Sequence, residues 1–325
     1  MLATNILILD GAQASSVAIT MDVLALANHR CRAMGRTPAF DVALTGAGAR
    51  HFRPFLAFPE GAHAVPQLLI IPAQGFSKAV SYKERLALGD VAAANAQILA
   101  AADAGAQITG SCTGTLLLAN SGLLDGRTAT TAWWLTPVFQ QLFPAVSLRS
   151  SELIVEDGQF ITAGAAMAQM DLMVRLVARH AGSEIAAACA NTMVLDERRS
   201  QTPYMAISLL AASNDSVARA AAWARASLHR DISVQQLATI AGQSSRTFAR
   251  RVHAATGMSP IHFLQQIRME RAVEMLETTQ LSFEEIAFRV GYHDPSTLRS
   301  IIRQRVGMGP RDLRDRARSA RALRS

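Results

Sequence analysis

Hydrophobic positions in the first part of the chain form short runs, separated by longer stretches with helical spacing. Four runs have too few polar residues to alternate between two faces and are typical of buried strands: 6–9, 40–44, 68–71 and 107–109. Between them, apolar residues recur with helical spacing at about 17–34, 82–104 and 113–120. This alternation predicts an α/β domain with a mostly parallel sheet, helices on both faces, and a pocket at the carboxyl ends of the strands.

A hairpin and two further helices are expected to complete this domain. Residues 152–162 read ELIVEDGQFIT and place Asp157-Gly158 at a tight turn between two strands. Helices are predicted at about 166–180 and 184–194. The α/β domain therefore spans residues 1–195.

The last third of the chain contains one helical pattern twice. SVQQLATIAG (233–242) matches SFEEIAFRVG (282–291). Each copy begins with a serine followed three residues later by Gln or Glu, which predicts a capping box. Each copy ends at a glycine, where a tight turn requires a positive φ.

A second helix is expected after each glycine. SSRTFARRV (244–252) matches DPSTLRSII (294–302), and both are followed by a Gly-Met-x-Pro sequence. The pattern predicts an all-α domain with two helix-turn-helix units at about 233–256 and 282–306, joined by a helix at about 261–277.

Charge separates the two parts of the chain further. Residues 206–325 contain 18 arginines against 10 acidic residues, whereas residues 1–205 have a net charge of −1, and the whole chain +7. A basic domain beside a neutral one indicates a polyanion-binding module joined to a module with another partner. A solvated basic face is the alternative explanation, so charge alone does not decide between them.

Composition also limits the chemistry. We find no signal sequence and no apolar run long enough for a membrane span, so no membrane partner is expected. Cys31, Cys112 and Cys189 are far apart and lack zinc-site spacing. We therefore expect free thiols in a reducing cytoplasm, no bound metal and no cofactor.

One short segment is typical of enzymes. Residues 110–114 read Gly-Ser-Cys-Thr-Gly and lie between an apolar run and a helical one. This G-x-C-x-G pattern is the thiol version of a nucleophile elbow, in which a strand-to-helix turn presents the nucleophile. Cys112 would need a nearby base or cation to be reactive.

The N-terminal domain resembles the PfpI/class I glutamine amidotransferase-like family over about 195 residues. The resemblance rests on the order of elements, the elbow, and the segments LLIIPAQG (68–75), SGLLDGRTATT (121–131) and ITAG (161–164). In that family a histidine after two threonines serves the elbow cysteine, often with a carboxylate near the end of the first strand. Here Ala132 follows the two threonines, and Ser16 stands near the carboxylate position. We therefore expect a non-catalytic pocket; a PfpI-like cysteine amidase or glyoxalase and a redox-sensitive Cys112 are the alternatives.

Residues 216–316 resemble the AraC-type DNA-binding domain. Chains that join such a domain to a PfpI-like domain form a family of transcription regulators. The resemblance implies a cytoplasmic regulator that binds double-stranded DNA and a small-molecule effector, such as an amino-acid-like or quaternary-amine compound. It also implies a homodimer formed through the N-terminal domain, with RNA polymerase as a further partner. Residues 196–215 are expected to form a linker and 317–325 a basic tail.

The two resemblances imply two sets of site residues. The pocket would be lined by Ser16, Ala73, Gln74, Cys112, Thr113, Ala132 and Trp133. DNA would be contacted by Ser244, Ser245, Arg246, Ala249 and Arg250 of the first unit, and by Pro295, Ser296, Arg299, Ser300 and Arg303 of the second.

By matching positions, the resemblance implies base-edge contacts from Arg246 and Arg250, since arginine binds guanine with two donors. In the second unit the same positions are Ser296, Arg299 and Ser300, and the short serine side chains discriminate less. Phosphate contacts are expected from Ser244, Ser245, Arg251 and Arg303. The first unit should therefore specify sequence more sharply than the second.

Overall fold

A computed structural model describes residues 1–52, 62–75, 81–196, 198, 200–212 and 214–322, except for the side chains of Pro203 and residues 320–322. The chain divides into two compact units, Met1–Gln201 and Thr202–Ser325. The division falls inside the segment predicted as a linker.

The first unit is built on a six-stranded sheet in the order β2-β1-β3-β4-β8-β7. All neighbouring pairs are parallel except β7 with β8. A separate two-stranded sheet pairs β5 with β6. The strands are β1 (Leu2–Leu7), β2 (Phe40–Thr45), β3 (Leu68–Ile71), β4 (Gln107–Ser111), β5 (Thr128–Ala129), β6 (Ser147–Leu148), β7 (Ile154–Asp157) and β8 (Phe160–Ala163).

Seven α-helices accompany the sheet in the described part of this unit: α1 (Ala14–Ala33), α2 (Tyr82–Leu86), α3 (Gly89–Asp103), α4 (Thr113–Asn120), α5 (Thr136–Leu142), α6 (Ala168–Ala181) and α7 (Ser183–Thr192). Short 3₁₀ turns lie at Ala47–His51 and Trp133–Leu135. Helices α1, α6 and α7 share one buried apolar cluster with the sheet, while α2 to α5 share another. The predicted α/β architecture, with helices on both faces, is confirmed.

Three boundaries differ from the sequence prediction. The first strand was predicted to reach Leu9, which is buried, but β1 ends at Leu7. The Leu9 amide donates to the Gln74 side chain instead of to a neighbouring strand. The single helix expected at 82–104 is divided, with an extended Leu88 preceding α3. The hairpin is confirmed, but Asp157 pairs with Phe160, so Gly158, at φ +62°, is the first turn residue.

The second unit is helical throughout its described residues. Its helices are α8 (Ile207–Ala211), α9 (Asp215–Ser227), α10 (Val234–Ile240), α11 (Ser245–Thr256), α12 (Pro260–Thr278), α13 (Phe283–Arg289), α14 (Pro295–Val306) and α15 (Pro310–Ala322). Both predicted helix pairs are therefore confirmed, as α10–α11 and α13–α14.

The capping signals form as predicted. Ser233 and Ser282 each complete a capping box at the start of α10 and α13. Gly242 and Gly291 follow at φ +69° and +80°. Asp294 accepts from the Ser296 amide at 2.9 Å, and hydrogen bonds from Ser296 and Thr297 lower the pKa of its carboxyl to about 2. These contacts fix the turns of both units locally.

The predicted linker at 196–215 is largely folded. Residues 202–204 form a 3₁₀ turn, and α8 follows at 207–211. The apolar side chains at 205, 207, 210 and 211 are buried in the second unit, which explains why this stretch packs rather than extends. At the other end, α15 continues into the predicted tail as far as Ala322.

Candidate ligand pocket and nucleic-acid interface

The G-x-C-x-G segment forms a strained turn between β4 and α4. Cys112 adopts φ +51° and ψ −121°, and among the described non-glycine residues it shares a positive φ with Val194 alone. A Cβ on Gly114 would lie 2.4 Å from the Ile71 carbonyl oxygen. A Cβ on Gly110 would lie 3.2 Å from the Gly114 carbonyl oxygen. Close backbone approach therefore requires Gly114 and leaves little room at Gly110, and the segment has the geometry of a nucleophile elbow.

The thiol at this turn is not activated. Cys112 is only 3% exposed, and burial raises the pKa of its thiol to about 11, with a smaller opposing effect from hydrogen bonds to Thr113. At pH 7 roughly one molecule in ten thousand then carries a thiolate. A nucleophilic cysteine needs the opposite shift.

The immediate neighbours of the turn contain no imidazole at the expected position. Ala132 is fully buried where the family places its histidine, and the Thr131 hydroxyl donates to the Cys112 carbonyl at 2.7 Å. Tyr82, on α2, lies close enough that Cys112 adds to the effect of burial in raising the tyrosine pKa. Sequence reasoning missed Tyr82, because only the fold brings α2 to the elbow.

The structure brings Ser16, Ala73 and Gln74 together at the carboxyl end of the sheet. The Ser16 hydroxyl accepts from the Ala73 amide at 3.0 Å. Gln74 accepts from the Leu9 amide at 2.8 Å and donates to the carbonyls of Leu7 and Pro72. These buried side chains satisfy backbone groups where the strands end, so they offer few free polar atoms to a ligand.

The remaining pocket candidates lie around the same edge. The Thr113 hydroxyl donates to the Gln74 carbonyl at 2.6 Å. Trp133 is buried and packs edge to face on Trp134, which is 45% exposed. The exposed indole was not among the predicted residues, although it directly follows one of them.

A carboxylate does stand at the end of the first strand, but it is Asp10. Arg50 binds it at 3.0 Å, and a His51 ring nitrogen lies 3.3 Å away. Arg85 pairs with Asp90 at 2.7 Å beside it and reaches the Asp10 carbonyl at 3.5 Å. In the sequence, Asp10 directly follows the apolar run 6–9. The sequence prediction instead placed the family's carboxylate position near Ser16, where no carboxylate stands.

The described residues offer neither a metal site nor a membrane-spanning helix. We find no group of three or more His, Cys, Asp or Glu side chains there that could hold a metal ion. No helix in the same part of the chain combines the length and apolarity needed to cross a membrane.

The second helix of the first unit presents the predicted basic face. Phe248 and Val252 are fully buried, whereas Arg246 and Arg250 are exposed. Ala249 is half-buried between them. The two arginines lie one turn apart and are available for base edges.

The expected phosphate contacts of this unit have partners inside the protein. Ser244 caps α11 by accepting from the Thr247 amide, and the Ser245 hydroxyl bonds to Gln235. Arg251 is directed to α9, where it donates to the Ser216 hydroxyl at 3.3 Å. Arg251 therefore supports the helix packing, in addition to any contact with DNA.

The second unit repeats the scaffold with a different outer surface. Leu298 and Ile302 of α14 are fully buried. A groove of 490 Å³ on the outer side of α14 is lined by the exposed residues Ser296, Arg299, Ser300, Arg303 and Gln304.

Two residues of α14 are held locally. Pro295 is the first helical residue, and the Ser296 hydroxyl bonds to Asp294. Arg299 stacks on Phe283 at 5.1 Å and lies 3.9 Å from Glu284. Arg299 is therefore less free to read a base than Arg246 or Arg250.

Comparisons with known proteins agree with this geometry. The family model described as a helix-turn-helix domain matches residues 237–316. The HTH-type transcriptional regulator GbdR of Pseudomonas aeruginosa is 27% identical over 206 residues, which is 62% of this chain and 56% of GbdR. The match is longer than the second unit, which spans residues 202–325, so it extends into the first.

Two solved structures each match about three fifths of this chain. An AraC family transcriptional regulator from Pseudomonas putida is 19% identical with a TM-score of 0.43, covering 58% of this chain and 98% of that one. A ThiJ/PfpI family protein from Pseudomonas syringae is 17% identical with a TM-score of 0.45, covering 61% and 77%.

The α/β unit with its cysteine elbow and the unit with paired, capped helices define a two-domain protein of the helix-turn-helix class. Within that class, residues 237–316 match a helix-turn-helix domain, and 206 residues of the chain are similar to the transcriptional regulator GbdR.

Proposed function

We propose that this protein regulates transcription by binding double-stranded DNA under the control of a small metabolite. The observation that carries the proposal is the repeated helix-turn-helix scaffold with exposed arginines on both second helices. The basic charge of residues 206–325 supplies the attraction to phosphate that such binding needs. In this proposal α11 and α14 enter neighbouring segments of the major groove.

The two units divide the recognition. Arg246 and Arg250 are exposed and one turn apart, which supports bidentate reading of guanine by the first unit. Arg299 is occupied by Phe283, and its neighbours Ser296 and Ser300 have short side chains. The second unit therefore contributes more to affinity than to sequence preference.

The N-terminal unit acts as an effector domain without catalysis. The Cys112 thiol has a raised pKa, and Ala132 replaces the expected base. The pocket is proposed between the elbow and the Trp133–Trp134 pair, where an exposed indole suits a cationic or amino-acid-like ligand. Dimerisation through this unit, and contact with RNA polymerase, complete the proposal.

DNA binding is tested with the full-length protein and duplexes that it selects from a random library. We expect binding that weakens steeply as salt increases. Arg246→Ala should relax base preference, whereas Arg32→Ala, an exposed arginine of the first unit, should not. Failure to select any duplex at low salt would refute the proposal.

Effector binding is tested by thermal unfolding with a panel of amino acids and quaternary ammonium compounds. A compound present at a hundred times its Kd should add about 2.7 kcal/mol to the stability of the unit that binds it. The same compound should change the affinity for the selected duplex. A compound that stabilises the protein without altering DNA binding would contradict effector control.

An enzyme is the second candidate, because the elbow geometry is intact. Cys112→Ser separates the two functions. A regulator should retain DNA binding and its response to the effector, since burial raises the pKa of the Cys112 thiol and disfavours its thiolate. Loss of the response in a folded variant would instead favour a chemical role for Cys112, whether in catalysis or in redox sensing.

A further inference from the structure

A basic groove lies beside α14. It has a volume of 690 Å³ and is lined by residues of α12, α13, α14 and α15. Leu276, Phe283 and Pro310 contribute apolar wall. Five arginines line it against two carboxylates, Asp312 and Asp315, which leaves an excess of positive charge: Arg299, Arg303, Arg311, Arg314 and Arg318.

Two of these arginines bind the segment that precedes α13. Arg314 donates to the Leu281 carbonyl at 2.5 Å, and Arg318 donates to Gln280 at 3.2 Å. Asp312 accepts from the Gly309 amide at 3.0 Å. The two arginine bonds hold α15 against the segment before α13, and the Asp312 bond caps the start of α15.

Two other arginines remain available to a ligand. Arg303 forms no ion pair among the described residues, and its guanidinium lies beside Gly309, within 3.9 Å of where a Cβ would stand. The Arg311 side chain is 94% exposed, and its ion pair with Asp315 is long, at 3.9 Å. A pair of guanidinium groups with unused donors suits a phosphate better than a neutral ligand.

The groove is continuous with the outer face of α14. Arg299 and Arg303 line both this groove and the smaller one that contains Ser296, Ser300 and Gln304. A duplex that places its major groove on α14 brings one sugar-phosphate strand next to these arginines. The charge of the groove is then opposite to that of the strand beside it.

We propose that the groove between α14 and α15 binds a backbone phosphate of the DNA, held by Arg303 and Arg311, next to the segment that α14 contacts. This inference rests on the proposed function and extends the DNA-binding surface to α15. Such a contact positions the duplex without reading its sequence.

Arg311→Ala tests the contact against a matched control on the same helix. Arg316 does not line the groove and pairs with Glu277 at 3.5 Å, so Arg316→Ala removes the same charge elsewhere. With the full-length protein and a selected duplex, Arg311→Ala should reduce the log–log salt slope by about 0.9, and Arg316→Ala should leave it unchanged. Asp315→Asn should strengthen binding at low salt, because it removes a carboxylate from the groove. Equal slopes for the two arginine variants would overturn the proposal.

Neutral methylphosphonate linkages, introduced one at a time into the duplex, locate the phosphate. One linkage beside the segment contacted by α14 should weaken binding of the unchanged protein more than binding of Arg311→Ala, in which only Arg303 still faces that phosphate. Inorganic phosphate at the same ionic strength should not displace the duplex selectively; if it did, the groove would be a site for free phosphate.

The failure of this inference is distinguishable from that of the proposed function. If no linkage is coupled to Arg311 while Arg246→Ala still relaxes base preference, the groove does not bind DNA and the proposed function stands. A groove that served an acidic peptide would give that same result. If Arg246→Ala has no effect either, the proposed function itself fails.

Discussion

The reactivity of Cys112 decides whether the N-terminal unit is a sensor or an enzyme. The perturbation is alkylation of the intact protein with iodoacetamide at pH values from 6 to 10. Because burial raises the thiol pKa to about 11, the thiolate population at pH 7 should be about a hundredfold below that of a thiol with a pKa of 9.0. Since only the thiolate reacts, alkylation should be slower by at least the same factor.

The pH dependence carries the test, because burial also slows reagent access and lowers the absolute rate at every pH. While the thiol is mostly protonated, its rate should rise about tenfold for each unit of pH and show no plateau up to pH 10. Quenched samples are digested, and the Cys112 peptide is quantified by mass spectrometry. The same peptide from protein unfolded in urea provides the reference rate.

The other two cysteines are internal controls in the same digest. Cys31 and Cys189 are buried in the cluster on the opposite face of the sheet and are read from separate peptides. A Cys112 rate that levels off below pH 8 would show a stabilised thiolate. The inert-thiol reasoning would then be wrong, and an activating group near the elbow would have to exist.

Three further predictions concern the second unit. Gly242→Ala should lower the free energy of unfolding by about 1 kcal/mol, because the residue has a positive φ but its Cβ would contact no other atom. Gly291→Ala should lower the free energy of unfolding further, because its Cβ would lie 2.5 Å from the Leu228 carbonyl oxygen. Urea unfolding of the two variants measures the difference. Truncating Arg246 or Arg250 should cost about 1–3 kcal/mol of DNA binding and relax base preference, measured against single-base variants of a selected duplex. Residues 202–325 alone should still bind DNA with a steep salt dependence, and binding that ignores salt would contradict the assignment.

The helix-turn-helix units could be predicted closely because their signals are local. A serine and a Gln or Glu three residues later define where α10 and α13 begin, and the glycines define where they end. Periodic apolar residues then identify the buried face of each helix. The same reasoning located α4 and the elbow, because a strand, two glycines and a helix are adjacent in sequence.

Features that depend on distant residues could not be predicted. Tyr82 reaches the elbow, and Arg251 reaches Ser216, only after helices far apart in sequence have packed. The linker prediction overlooked that a polar stretch was followed by apolar side chains such as Ile207 and Leu210, which bury in the second unit. The groove beside α14 was likewise not visible, because the arginines of α15 look like a solvated tail until the helix is placed.

The two helix-turn-helix units show why a shared scaffold does not imply a shared role. Matching positions in both are buried, so the repeat preserves the core and leaves the outer residues free to differ. In α11 those outer residues include two exposed arginines one turn apart, whereas in α14 one arginine is stacked on Phe283. In the proposed function, a unit with fewer free base-reading groups obtains more of its binding energy from the sugar-phosphate backbone, and Arg311 of α15 is proposed to contribute to it. Stronger dependence of α14 binding on phosphate charge than on base identity is the expected consequence.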